Sequence, residues 1–331
     1  MLEPPDIPTD QIISTVAQAF GLPGVRAVFL PIGLDNYSAV YRLDAPDGTA
    51  YFLKLRRGEP NENMVAVPHF LKQSGVPAIV APLPTQEGGL WAPMGAYRLV
   101  LYPFIPGQDG FQASLSPRQR VTFGAALRAI HTADLPPQLR EHILREDFSP
   151  RSREQMRAFL GLVETRTFQD ETSQQLAALI RAQRAEILRV VDLASELARA
   201  LQANLPPFVL CHADIHPGNL LLGPDDSLTI VDWDFPVYAP KERDLMFVEE
   251  PGSPAADLFF QGYGPTQIDP LAMAYYHYER LTQDLAAFSE QILETSQGGQ
   301  DREQALVYFS SIFLPENSIT LADRAFSRLP R

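Results

Sequence analysis

A single cysteine, Cys211, stands in 331 residues. An internal disulfide is therefore excluded, and the chain suits a reducing compartment, which points to the cytoplasm. Basic residues are also scarce: 27 Lys and Arg against 40 Asp and Glu leave a net charge of −13. Nucleic acid and anionic membrane call for basic surface, so this balance argues against both as partners. No apolar run approaches the roughly 20 residues that a spanning helix needs. The first residues set Glu3 and Asp6 among prolines, where a signal peptide would show a basic stretch and then an apolar one. No internal repeat is visible, and no feature marks a protein partner. Such acidity keeps a cytosolic protein soluble. Where acids gather near a pocket it also favours a cationic ligand.

What is present reads as a packed protein. Hydrophobic residues make up 45% and charged residues 20%, and the length suits one large domain or two packed lobes. The 30 prolines fall in short clusters such as Pro4-Pro5, Pro136-Pro137 and Pro206-Pro207. That pattern marks rigid turns, not a linker.

Asp10 to Phe20 reads as a helix: Ile12, Ile13, Val16 and Phe20 share a face, Thr9 or Asp10 can cap it, and Gly21 follows. Three strand-like stretches come next, RAVFLPI, SAVYRLD and AYFLKLR, parted by GLDN and APDG. NENMVAVPHFLKQSG reads as a helix with Pro68 early in it. AIVAPLPT and LWAPMGAYRLVLYPFI suggest two or three further strands, so the first hundred residues imply a mixed sheet with a helix or two. After Ile105 long helical patterns take over. One starts at Ser116-Pro117, a cap followed by a proline at the first helical position. The stretch from Thr172 to Leu205 reads as one helix of spacing near 3.6. Further helices are expected at Pro270–Glu294, Asp301–Leu314 and about Asn317–Leu329.

The stretch LCHADIHPGNLLLGPDDSLTIVDWDFP, Leu210 to Pro236, carries the densest chemistry. Short strands are expected around Leu220–Leu222 and Leu228–Val231. An antiparallel hairpin brings its ends together, so Asn219 before one strand should meet Asp232 after its partner. Two hard oxygen ligands then converge, which suits Mg²⁺ on phosphates. Asp214, just ahead, can take the proton of an attacking hydroxyl. The plainer reading is a polar hairpin built from turn-favouring Asp, Pro, Gly and Asn.

The order of catalytic Asp, four residues, Asn, and a metal Asp after a hairpin resembles the kinase catalytic loop. The form HADIHPGN followed by VDWD looks like the aminoglycoside phosphotransferase and choline kinase family. It is not the protein-kinase form: no Arg precedes Asp214, Trp233-Asp234 replaces Phe-Gly, and no Ala-Pro-Glu follows. The resemblance covers nearly the whole chain. It implies an α+β, bilobal, protein-kinase-like fold, with a small β-rich lobe over residues 1–105 and a larger helical lobe over 106–331. MgATP would lie between them.

Residue by residue, the resemblance implies Asp214 as catalytic base and Asn219 with Asp232 as Mg²⁺ ligands. Lys54, in the alternating strand YFLKLRR, would brace the α- and β-phosphates, paired with Glu62, or Glu59 as second candidate. Alone, a strand lysine is more often solvated. The phosphate loop PIGLDNYSAVYRL keeps only Gly33, and Asn36, Tyr37 or Ser38 can add donors. The same loop also reads as an ordinary hairpin turn. Main-chain groups of Pro103, Phe104 and Ile105 would meet adenine, while the side chains of Tyr102 and Phe104 read rather as core aromatics. His212 and His216 read as scaffold, since no further His or Cys stands at ligand spacing. Cys211 reads as a small buried hydrophobe, and Asp244 resembles the family's structural aspartate.

Within the family, APKERDLMF, the earlier YPFI with Gly110-Phe111, and YYHYERLTQDLA look like the spectinomycin phosphotransferase group. That implies phosphorylation of the 9-hydroxyl of an aminocyclitol and antibiotic resistance. A substrate of that kind carries protonated amines and hydroxyls. Asp234, Glu242, Glu279 and Asp284 are then candidate carboxylates for it, and Tyr275 or Tyr278 can stack on its ring. Each of these also reads as a solvated helix face or an internal ion pair. The residues alone reach a small-molecule hydroxyl kinase. Other acceptors such as choline, homoserine or a different aminocyclitol, and a catalytically silent kinase-like binding protein, remain open.

Overall fold

The computed structural model describes residues 1–33, 37–58, 61–250, 252–295 and 299–330. Helix α1 (Thr9–Phe20) ends on Gly21 in the left-handed region, φ 68°, where a residue without Cβ costs least. Strands β1 (Arg26–Leu30), β2 (Ser38–Asp44) and β3 (Ala50–Arg57) follow as the alternation predicts. Helix α2 (Asn63–Gln73), with Pro68 inside it, leads to β4 (Ala92–Met94) and β5 (Tyr97–Pro103). Strand β6 (Gln108–Asp109) precedes α3 (Pro117–His131), which Ser116 and Gln119 start with a reciprocal capping box. Then come α4 (Pro137–Arg140), β7 (Leu144–Arg145), α5 (Arg151–Thr165), α6 (Glu171–Ala182) and α7 (Arg184–Ala203). Strands β8 (Val209–Cys211), β9 (Leu220–Leu222), β10 (Leu228–Ile230) and β11 (Val237–Ala239) are all three residues long. The chain closes with α8 (Glu242–Leu245), α9 (Pro254–Tyr263), α10 (Pro270–Leu293), α11 (Gly299–Ser311) and α12 (Ser318–Ser327).

Three expectations change. The first sheet is not mixed: its order is β1-β2-β3-β5-β4 and every pair in it is antiparallel. Short connections join most of its neighbours, and short connections make antiparallel pairs. The segment AIVAPLPT forms no strand of this sheet. Its Ile79 makes a single parallel bridge to Ile230 instead. The expected helix from Thr172 is broken at Gln183, where ψ rises to 10°. Arg181 and Arg184 on either side of the break reach back to the Val163 and Leu160 carbonyls of α5. No Pro or Gly announces that break.

The chain gathers into two compact units, Met1–Arg145 with Phe208–Thr266, and Glu146–Pro207 with Gln267–Arg331. In the first, side chains alternate across β3. Leu53 and Leu55 join Leu99, Leu101 and Leu43 in a core that Ile12 and Val16 of α1 cover. Each such buried leucine contributes about 1.5–3 kcal/mol. Lys54 is on the opposite face by the period of two, where Met64 and Val65 of α2 pack on Val100. Helices α3 and α9 meet at Gly124 and Gly262. A Cβ on Gly124 would fall 2.0 Å from the Phe259 carbonyl oxygen, and one on Gly262 would fall 1.9 Å from that of Val121. Only glycine allows this approach.

The second unit is helical: α10 packs on α5, α7, α11 and α12. Arg153 pairs there with Glu279 at 3.1 Å, both buried.

Candidate active site

The site is built on the hairpin of β9 and β10. Leu220 stands opposite Ile230, and the Val231 amide donates to the Asn219 carbonyl at 3.0 Å. Asn219 and Asp232 therefore end up beside each other, as hairpin geometry predicts. Strand β6 pairs with β9 on the other edge, and the Ile230 amide donates to the Ala78 carbonyl at 2.7 Å. Both edges of the hairpin are thus paired.

Asp214 lies on the loop between β8 and this hairpin. Asn219 Nδ2 donates to the Asp214 carbonyl at 2.7 Å, and the Asp214 amide donates to His212 Nδ1 at 3.3 Å. His212 Nε2 in turn meets the Val231 carbonyl at 2.9 Å, and its ring packs edge-on against Trp233. His216 Nδ1 accepts from the Gly218 amide at 3.0 Å, while Nε2 lies 3.7 Å from an Asp214 carboxylate oxygen. Both histidines thus do the scaffold work expected of them. Asp244 accepts the His212 and Ala213 amides at 2.8 and 2.7 Å and meets His131 at 3.1 Å. Burial alone would push its carboxyl up. The hydrogen bond and pull of His131, with His212 and the Ala213 amide, hold it below the usual carboxylate range. Cys211 is fully buried, and burial pushes its thiol well up.

Beside Asp214 and Asn219, Ala213 and Asp232 have φ of 74° and 64°, and Asp225 and Asp226 in the hairpin turn have φ of 58° and 57°. Left-handed backbone at such residues costs about 1–2 kcal/mol each. Strain of this kind gathers at working sites.

Lys54 reaches across to the hairpin. Its Nζ lies 2.6 Å from Asp232 and 2.7 Å from Asp234. Arg56 bonds Asp234 from two residues further along β3, and its Nη1 donates to Ser38 Oγ at 3.2 Å. Asn61 Nδ2 donates to the Asp234 carbonyl at 3.1 Å. Burial would lower the Lys54 ammonium's affinity for its proton, but Asp232 and Asp234 outweigh that and raise it. Burial acts against the Asp232 anion too, and Lys54 overcomes it, so Asp232 titrates below the usual range. Asp234 moves up, through burial and the neighbouring Asp232 charge.

Glu62 corrects the expectation for Lys54. Both of its carboxylate oxygens accept from Trp91 Nε1 at 3.1 Å, and Lys54 takes Asp232 and Asp234 instead. Glu62 stands at the N-cap position of α2 and makes no side-chain capping bond. The second candidate, Glu59, and Asn36 of the phosphate loop lie outside the described residues. Gly33 has φ 87°, and Tyr37 is exposed while Ser38 is buried. Of the three residues expected to meet adenine, the Phe104 amide donates to the Ala50 carbonyl at 3.2 Å, and the Phe104 ring lies under the Arg42 guanidinium. That amide is spent on the sheet, and Pro103 has none to give.

The candidate acceptor carboxylates take ion pairs, the other reading their spacing allowed. Asp234 is occupied by Lys54 and Arg56. Glu242 is buried and meets Lys241 at 2.8 Å. Tyr278 is fully buried, its hydroxyl donating to Asp323, and Tyr275 is equally enclosed. Glu279 is buried against Arg153. Asp284 pairs with Arg280 one helical turn away, at 3.0 Å. Buried, paired side chains of this kind hold a unit together, and the roles foreseen for Tyr278 and Glu279 do not fit such surroundings. Arg56 is a residue the sequence reasoning missed. Its spacing of two from Lys54 in a strand was the signal available, since it puts both cations on one face.

The hard-oxygen pair of Asn219 and Asp232 fits a magnesium ion. Asn219 spends its Nδ2 on the Asp214 carbonyl, which leaves the amide oxygen to ligate, and Asp232 is held ionised with its side chain 44% exposed. The kinase-like α+β fold and this catalytic loop define a phosphotransferase. Residues 28–283 match the phosphotransferase enzyme family, and the chain belongs to that family. Among solved structures it is similar to spectinomycin phosphotransferase APH(9)-Ia in complex with ADP and spectinomycin. Identity is 31%, the TM-score is 0.88, and 97% of this chain and 99% of that chain are covered. The AMP-bound form of the same enzyme gives 31% identity and a TM-score of 0.83, with 95% and 98% covered. An aminoglycoside phosphotransferase from Alicyclobacillus acidocaldarius shares the fold, with 14% identity, a TM-score of 0.61, and 98% and 97% covered. A comparison with curated proteins gave no match. Among the described residues no helix is long and apolar enough to cross a membrane.

Proposed function

We propose that this protein is an ATP- and Mg²⁺-dependent small-molecule kinase of the cytoplasm that phosphorylates a hydroxyl of the aminocyclitol spectinomycin, and so confers resistance. The observation that carries the kinase reading is the hairpin that sets Asn219 beside Asp232, with Lys54 on Asp232 and Asp214 just ahead. The acceptor is supported by the 31% identity to spectinomycin phosphotransferase over nearly the whole chain. The first 105 residues serve the nucleotide, and the rest carries the catalytic loop, the metal ligands and the acceptor site.

In this mechanism Asp214 orients the acceptor hydroxyl and takes its proton. The hydroxyl oxygen bonds to the γ-phosphorus, the bond to the β–γ bridging oxygen breaks, and ADP leaves. Asn219 and Asp232 would hold Mg²⁺, which would neutralise charge on the phosphate oxygens. Lys54 braces the α- and β-phosphates. Ser38 stands on the strand that follows the phosphate loop, and Ile105, of the three residues expected to meet adenine, is the one left to donate an amide to it. Asp284, the least enclosed of the foreseen carboxylates, is our candidate for a substrate amine.

The test is ADP release from MgATP with a panel of acceptors. Release with spectinomycin and none with choline or homoserine is the expected result. Release with another alcohol alone would move the acceptor but keep the chemistry. No turnover and no MgATP binding would leave a silent binding protein.

A further inference from the structure

Glycine or proline at position 234 would leave Lys54 with one partner, and the structure points to what the second partner does. We infer that Asp234, not an acid of helix α2, is the residue that positions Lys54 for the nucleotide; the inference rests on the kinase reading above. The geometry is specific. Lys54 Nζ lies 2.7 Å from one Asp234 carboxylate oxygen, and Arg56 bonds the other. Asn61 fixes the same residue's backbone by its carbonyl, at 3.1 Å. Asp234 is only 8% exposed and Lys54 equally so, so the pair is held in a dry place where a charge without its partner costs most.

The two aspartates around Trp233 divide the labour. Asp232 is the exposed one, open to a metal ligand's role. When a metal claims Asp232, Lys54 keeps Asp234 as its anchor and turns its remaining hydrogens to the phosphates. Glu62 is engaged at Trp91, 3.1 Å from the indole nitrogen. The lysine's position is therefore set by the loop that carries the metal ligand. Asp234 acts through Lys54; it is neither a ligand of the acceptor's amines nor a metal ligand.

The experiment compares Asp234→Asn, Asp234→Glu, Glu62→Gln, Lys54→Met and the double variant Lys54→Met/Asp234→Asn, each checked for folding by circular dichroism. ADP affinity is read by calorimetry with and without Mg²⁺, and KM for ATP and for the acceptor are measured separately. Asp234→Asn should weaken ADP and raise KM for ATP by about tenfold or more, with acceptor KM within about twofold. Asp234→Glu should recover part of the loss, and Glu62→Gln should stay within about twofold. In the Lys54→Met background, Asp234→Asn should add almost nothing, because its effect passes through the lysine. An additive loss in the double variant, a selective rise in acceptor KM, a loss confined to Mg²⁺-dependent binding, or an equal loss in Glu62→Gln would each overturn the inference. If the unaltered protein binds no adenine nucleotide at all, it is the kinase reading that fails.

Discussion

Asp244 holds the backbone amide of Ala213 at 2.7 Å while Ala213 sits in the left-handed region at φ 74°. The carboxylate thus pays for a backbone shape that alanine alone would refuse, and that shape delivers Asp214. Replacing Asp244 with alanine leaves the His212 and Ala213 amides and His131 without their acceptor inside the protein. Hydrogen bonds to a buried charge are worth about 1.5–3 kcal/mol each. We expect Asp244→Ala to lose at least about 3 kcal/mol of stability and essentially all transfer, measured by urea unfolding and ADP release.

The same carboxylate predicts an acid limb. The folded Asp244 titrates below its unfolded value of about 4. A depressed carboxyl contributes stability above the unfolded value and loses it as pH falls through the folded one. The melting temperature should therefore drop as pH is lowered below about 4. Asp244→Asn should be less stable at neutral pH and show a shallower drop in that window.

Asp214→Ala should cut turnover by about 10²–10⁴ while ADP affinity stays near that of the unaltered protein. Single-turnover kinetics with calorimetry separates the two. Near-normal turnover would remove Asp214 from the role of base.

Asp232→Ala should behave differently. Adenine nucleotide should still bind weakly, but added Mg²⁺ should no longer tighten it. Calorimetry at several Mg²⁺ concentrations reads this directly, without any acceptor.

Gly124→Ala tests the packing of α3 on α9. The new Cβ would meet the Phe259 carbonyl at 2.0 Å, a clash of backbone against backbone. Overpacking costs about 1–3 kcal/mol, so a lower urea midpoint with an unchanged slope is expected.

The catalytic stretch is readable in the sequence because its cues are local. Turn residues stand between two short apolar runs, and alternation in YFLKLRR assigns Lys54 a face. The partner of Lys54 is not readable that way, because Asp234 lies 180 residues off and nothing local marks the pairing. A helix-face acid such as Glu279 misleads for the opposite reason. It shows the spacing of a polar face, yet it is buried on Arg153. The break at Gln183 depends on contacts with α5, which no periodicity encodes, whereas the helix Pro254–Tyr263 opens on the same Ser-Pro signal as α3, with Ser253 accepting from the Ala256 amide at 3.1 Å.

The bond between Lys54 and Asp232 also has a history in time, because 178 residues separate them. At a synthesis rate of about 5–20 residues per second, roughly 10–35 s pass between the making of one and of the other. During that interval Lys54 has neither of the aspartates that it meets in the folded protein. Water solvates that cation until the aspartates are made, and folding then exchanges the water for their carboxylates.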